Sequence, residues 1–295
     1  MPKKTKKEHF VPQLYLNAWS IPGKHQIYVY DTLTNTQRIN SINDVASERF
    51  FYDVNPSEIF TPDYLDVLRK NNMIHNQDDV DSQLIERALS EEIEKPFSDI
   101  LKCILNKAES LTQWETKNCC FISKSQKQLL SIFLAIQFLR GKTIRDNLHD
   151  MSNCISQILK EMSAPTSVLS EYDVTKKQAK NIHIKMMLND GAINDFSQAF
   201  HNLTWILGVN KTDIKLFTSD NPIITRAHIS DSIVAMNGIA SKGVEVVFPL
   251  SPNVILIMVD GSYHTDCLPF ERRYFELSIP QMIDNYNLIL ASQSN

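Results

Sequence analysis

The chain has 295 residues, 43% of them hydrophobic and 22% charged, which excludes disorder as the default and sets the expectation of a folded protein with one large core or two modest ones. Its formal net charge of -4 excludes a broad basic surface, so any nucleic-acid contact is expected in a local groove. The longest apolar run, residues 129–139, is shorter than the about 20 residues that cross a bilayer, so no membrane span is expected.

Lys3, Lys4, Lys6 and Lys7 form the only basic run. It reads as a solvated tail, with phosphate or acidic-lipid contact as the alternative, and no apolar stretch follows it to make a signal peptide. Next comes the most distinctive stretch, His9-Phe10-Val11-Pro12-Gln13-Leu14-Tyr15-Leu16. Pro12 suits the first turn of a helix, and Ser20-Ile21-Pro22-Gly23 ends it. Residues 26–31 and 37–42 read as a β-hairpin around a turn at 32–36, and residues 49–52 as a third extended piece.

From residue 63 the period becomes helical. A helix is expected over 81–106, kinked or divided by Pro96, then helices over 124–140 with Ser123 as N-cap, 144–162, 175–189 and 193–200. β-Branched and aromatic runs at 204–209, 214–217, 244–248 and 254–259 predict strands. Ser278 is read as the N-cap of a last helix. The fold class is therefore α+β, one compact unit over 1–295. Within it, residues 1–62 make a helix and hairpin lobe, 63–202 a helical region, and 203–295 an antiparallel or mixed sheet with a final helix.

Some polar residues fall where a core should exclude them. Gln137 and Arg140 share one face of an otherwise apolar helix, and a buried guanidinium needs an anionic or carbonyl partner. Arg140 is either a structural ion pair or a bidentate anion clamp, with Gln137 positioning water or substrate. Glu92 falls near the apolar side of its helix and is expected to be the partner of Arg140 or a general base, while Glu91 faces solvent and Glu86 is undecided. Thr218-Ser219-Asp220-Asn221-Pro222 sits at an expected strand end. It is either a self-bonded Asx or ST turn or a site where Asp220 and Asn221 offer oxygens to Mg²⁺, a ribose or a phosphate and Ser219 donates to an oxyanion.

His9 is either a packing histidine or a catalyst. The eight histidines lack metal spacing, and the five cysteines (Cys103, Cys119, Cys120, Cys154, Cys267) lack CxxC or CxxH spacing. Zinc is disfavoured and reduced thiols in a cytoplasmic protein are expected. With only seven glycines, none of the Gly-rich phosphate loops is present.

His9-Phe10-Val11-Pro12-Gln13-x-Tyr15-Leu16, Phe51-Tyr52, the acidic helix around Glu86 and Glu92, Gln137-x-x-Arg140, Thr218-Ser219-Asp220-Asn221-Pro222 and Phe248-Pro249-Leu250-Ser251-Pro252, in this order, resemble the bacterial domain-of-unknown-function 4238 family. Gly141-Lys142 follows Arg140 where that pattern continues with a Thr-Pro-like pair. The resemblance implies a cytoplasmic, single-gene antiphage defence protein, acting alone or as a self-assembled homo-oligomer. It carries over no active site.

Two readings follow. In the first, His9, Gln13, Glu92, Gln137, Arg140 and Asp220 converge in the pocket of a hydrolase acting on nucleic acid or nucleotide. There His9, Glu92 and Asp220 are catalytic, and Gln13, Gln137, Arg140, Ser219 and Asn221 bind substrate around a divalent metal such as Mg²⁺. In the second, the same groups tie the parts of a non-enzymatic sensor together, and the sensor binds a phage or host component. A closed network without an adjoining cavity separates the second reading from the first. Nucleic-acid binding without catalysis is a third, weaker alternative, and it predicts a steep salt dependence.

Overall fold

The computed structural model describes residues 6–70, 74, 80–111, 119–229 and 238–294; Lys3 and Lys4 of the basic run and His75 lie outside these residues. Strand β1 (Lys7–His9) leads through Pro12, the N-cap residue, into α1 (Gln13–Leu16), which tightens to a 3₁₀ turn at Asn17–Trp19. The hairpin forms as expected from β2 (Gln26–Asp31) and β3 (Thr36–Ser41). The third extended piece is shifted upstream. β4 (Ser47–Arg49) pairs antiparallel with β1, and the chain then leaves the strand at Phe50, whose φ is +56°.

Two short helices, α2 (Pro56–Ile59) and α3 (Pro62–Lys70), open the helical middle. The expected long helix is divided: α4 (Leu84–Ala88) passes through a π-helical turn at Leu89–Glu94 into α5 (Lys95–Ser110), with Pro96 in the first turn of α5. An α-helical Pro96 would leave the Glu92 carbonyl without a donor and press its ring against it, and wider winding just before the proline relieves both. Helix α6 (Lys124–Leu139) starts at a capping box in which Ser123 and Gln126 satisfy each other's backbone N–H groups, as the sequence predicts, and Arg140 is its C-cap. After it come α7 (Lys142–Glu161), α8 (Thr166–Tyr172), α9 (Lys176–Met187) and α10 (Asp190–Asn202). α8 is absent from the sequence-based expectations.

The C-terminal sheet contains β5 (Thr204–Asn210), β6 (Ile224–Ala227), β7 (Val244–Ser251), β8 (Val254–Val259) and β9 (Arg273–Leu277), in the order β6-β7-β8-β5-β9. It is mixed, because β9 runs parallel to β5 while the other neighbours are antiparallel. β6 and β9 were not expected from the sequence. Residues 214–217, which were, join no ladder: Leu216 N–H donates to Pro252 O, and Phe217 N–H to the side chain of Asn287. A last helix, α11 (Pro280–Ser292), has Ile279 as its N-cap residue with no side-chain cap, so Ser278 does not hold that position.

Both sheet faces are buried. Trp205, Leu207, Val246, Phe248, Leu256 and Met258 face the core shared with the helical middle. Ile206, Val247, Ile257 and Val259 alternate with them and face a second core completed by Ile283, Tyr286 and Leu290 of α11. No helix among the described residues is long and apolar enough to cross a membrane.

Candidate functional site

Arg140 ends α6 with its side chain 1% exposed. Each of its guanidinium nitrogens has a partner: Nε donates to Tyr52 Oη at 3.2 Å, Nη1 to Glu94 Oε1 at 2.9 Å and Nη2 to His9 O at 2.5 Å. Burial works against the cation, but Tyr52, Glu94 and Glu86 outweigh it and hold its pKa above the ordinary guanidinium value. One turn earlier, Gln137 Nε2 donates to Phe10 O at 3.0 Å. The two polar residues that share a face of α6 thus bind two successive carbonyls of the opening stretch. Tyr52 Oη also donates to His9 O, at 3.3 Å.

His9 is itself buried and closed into this arrangement. Its Nε2 donates to Ile42 O, and its Nδ1 accepts from Gln13 Nε2, both at 3.4 Å. Burial lowers its pKa, leaving a neutral imidazole with both nitrogens occupied. Beside it Glu8 is 0% exposed; its Oε2 accepts from Tyr52 N–H at 2.6 Å and its Oε1 from Gln83 Nε2 at 3.3 Å. Burial is the main cause that raises the Glu8 carboxyl to about 7, with nearby Asp53 adding to it. Burial likewise raises Glu86 to about 7, against the pull of Arg140.

A second cation, Arg145, lies over the Phe51 ring at 3.5 Å and donates to Phe51 O at 3.0 Å and to His183 Nδ1. His183 Nε2 donates to Leu139 O at 2.8 Å. Burial, followed by the neighbouring Arg145, lowers His183 to about 4.

The Tyr15 hydroxyl makes the other junction. It donates to Pro249 O at 2.7 Å and accepts from Thr218 Oγ1 at 2.7 Å, while its ring stacks on Phe248 at 4.9 Å. The opening segment therefore meets the helical middle through His9, Phe10 and Arg140, and the C-terminal sheet through Tyr15, Thr218 and Pro249.

The sequence-selected residues divide accordingly. His9, Gln13, Gln137 and Arg140 come together as one hydrogen-bonded cluster. Glu92 does not join them: it is exposed, and Glu94 pairs with Arg140 in its place, because the π-helical turn carries the face of Leu89 on to Glu94. Ser219 makes the self-bonded turn, donating to Asn221 O at 2.8 Å and accepting from Asn221 N–H at 3.1 Å. Asn221 Nδ2 donates to Gln293 O beyond the last helix, and Asp220 is half-buried in the same loop. Among the described residues no group of three or more His, Cys, Asp and Glu is placed to hold a metal ion.

Two cavities, of about 350 Å³ and about 230 Å³, are lined by other residues and adjoin neither Arg140 nor Asp220. Sequence reasoning missed Glu8, Tyr52 as a ligand of Arg140, Glu94, Arg145 and His183. The i, i+3 spacing of Gln137 and Arg140 was the signal that found the cluster, and no comparable spacing marks the others.

The fold and this network define an α+β protein whose N-terminal segment is locked by buried polar contacts to both of its other parts. The chain belongs to the family described as protein of unknown function (DUF4238), whose model matches residues 7–295. No curated protein and no solved structure matches it.

Proposed function

We propose that this protein is a bacterial antiphage defence protein that works as a non-enzymatic sensor or binding module for a phage or host component. The observation that carries the choice between the two readings is the closure of Arg140. Its Nε, Nη1 and Nη2 all donate to acceptors of the chain itself, at 3.2, 2.9 and 2.5 Å. A guanidinium that is 1% exposed and tied through all three nitrogens presents no open edge to a phosphate, and turning it towards one would leave the half-buried Glu94 carboxylate without its donor. The antiphage setting rests on the family resemblance.

A hydrolytic effector is the competing reading. Glu86 favours it, as a half-buried carboxyl raised to about 7 and thus poised for proton transfer near neutrality.

Phage challenge of bacteria carrying the gene, scored as plaque counts against an empty vector, tests the proposal. Protection by the wild type is expected, as is undiminished protection by Glu86→Gln and Asp220→Asn variants that melt like the wild type. Absence of protection by the wild type overturns the defence assignment. Loss of protection in a folded Glu86→Gln or Asp220→Asn variant overturns the non-enzymatic reading in favour of hydrolysis.

A further inference from the structure

The hairpin of β2 and β3 is patterned the wrong way round for a surface element. Alternation along its register divides it into two faces. On one, Ile27 is buried and Val29 packs against the core, and the hairpin's charged pair, Arg38 and Asp31 at 3.1 Å, shares this side. Gln26, Tyr28, Tyr30, Gln37, Ile39 and Ser41 lie on the other, and none of them is charged.

This outward face is bare. Tyr28 is 73% exposed, Tyr30 56% and Ile39 52%, with Tyr28 and Ile39 directly opposite each other at its centre, and Leu33 at the tip of the hairpin is 87% exposed. An antiparallel sheet with one face on the core ordinarily turns polar and charged side chains to water. Tyr30 is also held in place by its hydroxyl, which donates to Asn35 Oδ1 at 2.5 Å.

We propose that the outward face of the hairpin is the contact surface of a homodimer, packed on the same face of a second copy about a two-fold axis that passes near Tyr28 and Ile39. Charge selects this occupant. A two-fold contact sets the residues at its centre against their own copies, so a charge there would meet its like, and this uncharged face meets itself without that repulsion. For the same reason it has nothing to attract a strongly charged partner such as nucleic acid. Area sets the strength. A tyrosine buries about 150–250 Å² when fully covered, so Tyr28, Tyr30, Ile39 and Leu33 together supply on the order of 500 Å² per copy, and about 1,000 Å² in all is the lower end of specific interfaces. The dimer is therefore reversible and concentration-dependent. The face shares no residue with the Arg140 network, so this proposal stands or falls independently of the defence assignment.

Analytical ultracentrifugation of the full chain over a concentration series is the measurement. A monomer–dimer equilibrium with a dissociation constant of about 10–100 µM is expected. Since no charge takes part, it should not weaken between about 0.1 M and about 1 M NaCl. Tyr28→Lys and Tyr28→Asp, at an exposed position that the fold does not need, should each weaken it at least about tenfold, and an equimolar mixture of the two should recover a dimer as opposite charges meet across the axis. Leu288→Lys, at an exposed position on α11, should leave it unchanged. A wild type that stays monomeric at about 500 µM overturns the proposal. So does a dimer that persists unchanged in folded Tyr28→Lys and Ile39→Lys variants, a mixture that stays monomeric, or a dimer that Leu288→Lys disrupts as strongly as Tyr28→Lys does.

Discussion

Arg140 and Glu94 pair at 2.9 Å across a junction that an uninterrupted α-helix would not make, because the π-helical turn at Leu89–Glu94 inserts itself between them and the start of the acidic helix. Removing the carboxylate leaves a cation that is 1% exposed with its hydrogen bonds but without its nearest counter-charge. Glu94→Gln is therefore expected to lower unfolding free energy by about 3 kcal/mol. Glu92→Gln, at an exposed position, should stay within about 0.5 kcal/mol of the wild type. Urea titration of the two variants side by side separates these outcomes, and equal losses would show that the pair does not carry the junction.

The Tyr15 hydroxyl joins residues more than two hundred positions apart in the chain, with Thr218 on one side and Pro249 on the other. Tyr15→Phe keeps the stacking on Phe248 and removes only this oxygen, leaving Pro249 O without its donor in a buried setting. A loss of about 1–3 kcal/mol is expected. A double-mutant cycle with Thr218→Val should show coupling between the two positions, whereas additive losses would mean that the bond contributes nothing of its own.

The parts of the fold that follow local rules were legible in the sequence. The hairpin flanks a local turn, β5, β7 and β8 are β-branched and aromatic runs bounded by turn residues, and Ser123 with Gln126 is a capping box written within four residues. β9 was not legible, because it finds its place only as a parallel neighbour of β5, with the three strands β6, β7 and β8 between them in the chain. Residues 214–217 have strand composition, yet they join no ladder: Leu216 spends its N–H on Pro252 O and Phe217 on the side chain of Asn287. The candidate site shows the same division. Gln137 and Arg140 were found by their shared helix face, but their targets are backbone carbonyls, which no side-chain pattern announces. Glu94 was missed because the phase of its helix changes at a π-turn that only Pro96 hints at.

Glu8 supplies a pH dependence whose sign is fixed by its burial. Its carboxyl is raised from 4.5 to about 7, so the native state binds this proton more tightly than the unfolded chain does. The stabilisation is full below about 4.5 and is lost as pH rises through about 7. Glu8→Gln keeps the shape and donor capacity of the protonated form, so its stability should fall less between about pH 5 and about pH 8 than that of the wild type. Part of the slope should remain, since Glu86 is raised to about 7 as well. Denaturant midpoints across that range check this, and an unchanged slope in Glu8→Gln would contradict it.

His183 acts in the opposite direction. Its pKa is lowered from 6.5 to about 4, chiefly by burial and then by Arg145, so the native state holds the proton less tightly than the unfolded chain. Its contribution is present above about 6.5 and disappears as pH falls towards about 4. A glutamine can still donate to Leu139 O and accept from Arg145 without titrating. His183→Gln should therefore flatten the acid limb of the stability profile while leaving the limb governed by Glu8 in place. Thermal melts of both variants over the same pH series would place each limb on its own residue.

Gly208 lies in β5, between β8 and β9, and a side chain there would enter the core that α11 covers. A Cβ built there would stand 2.7 Å from Leu277 Cδ1 and 2.8 Å from Ile255 Cγ2, both closer than side chains tolerate. Leu277 and Ile255 are each 0% exposed, so neither has free space to move into. Gly208→Ala should thus destabilise by about 1–3 kcal/mol through overpacking, even though alanine lowers the entropy of the unfolded chain. Adding Leu277→Val, which shortens the side chain that the new methyl group meets first, should recover part of the loss. A Gly208→Ala variant as stable as the wild type would mean that the strand can shift to admit a side chain. The close packing of β9 against β5 would then not depend on glycine at this position.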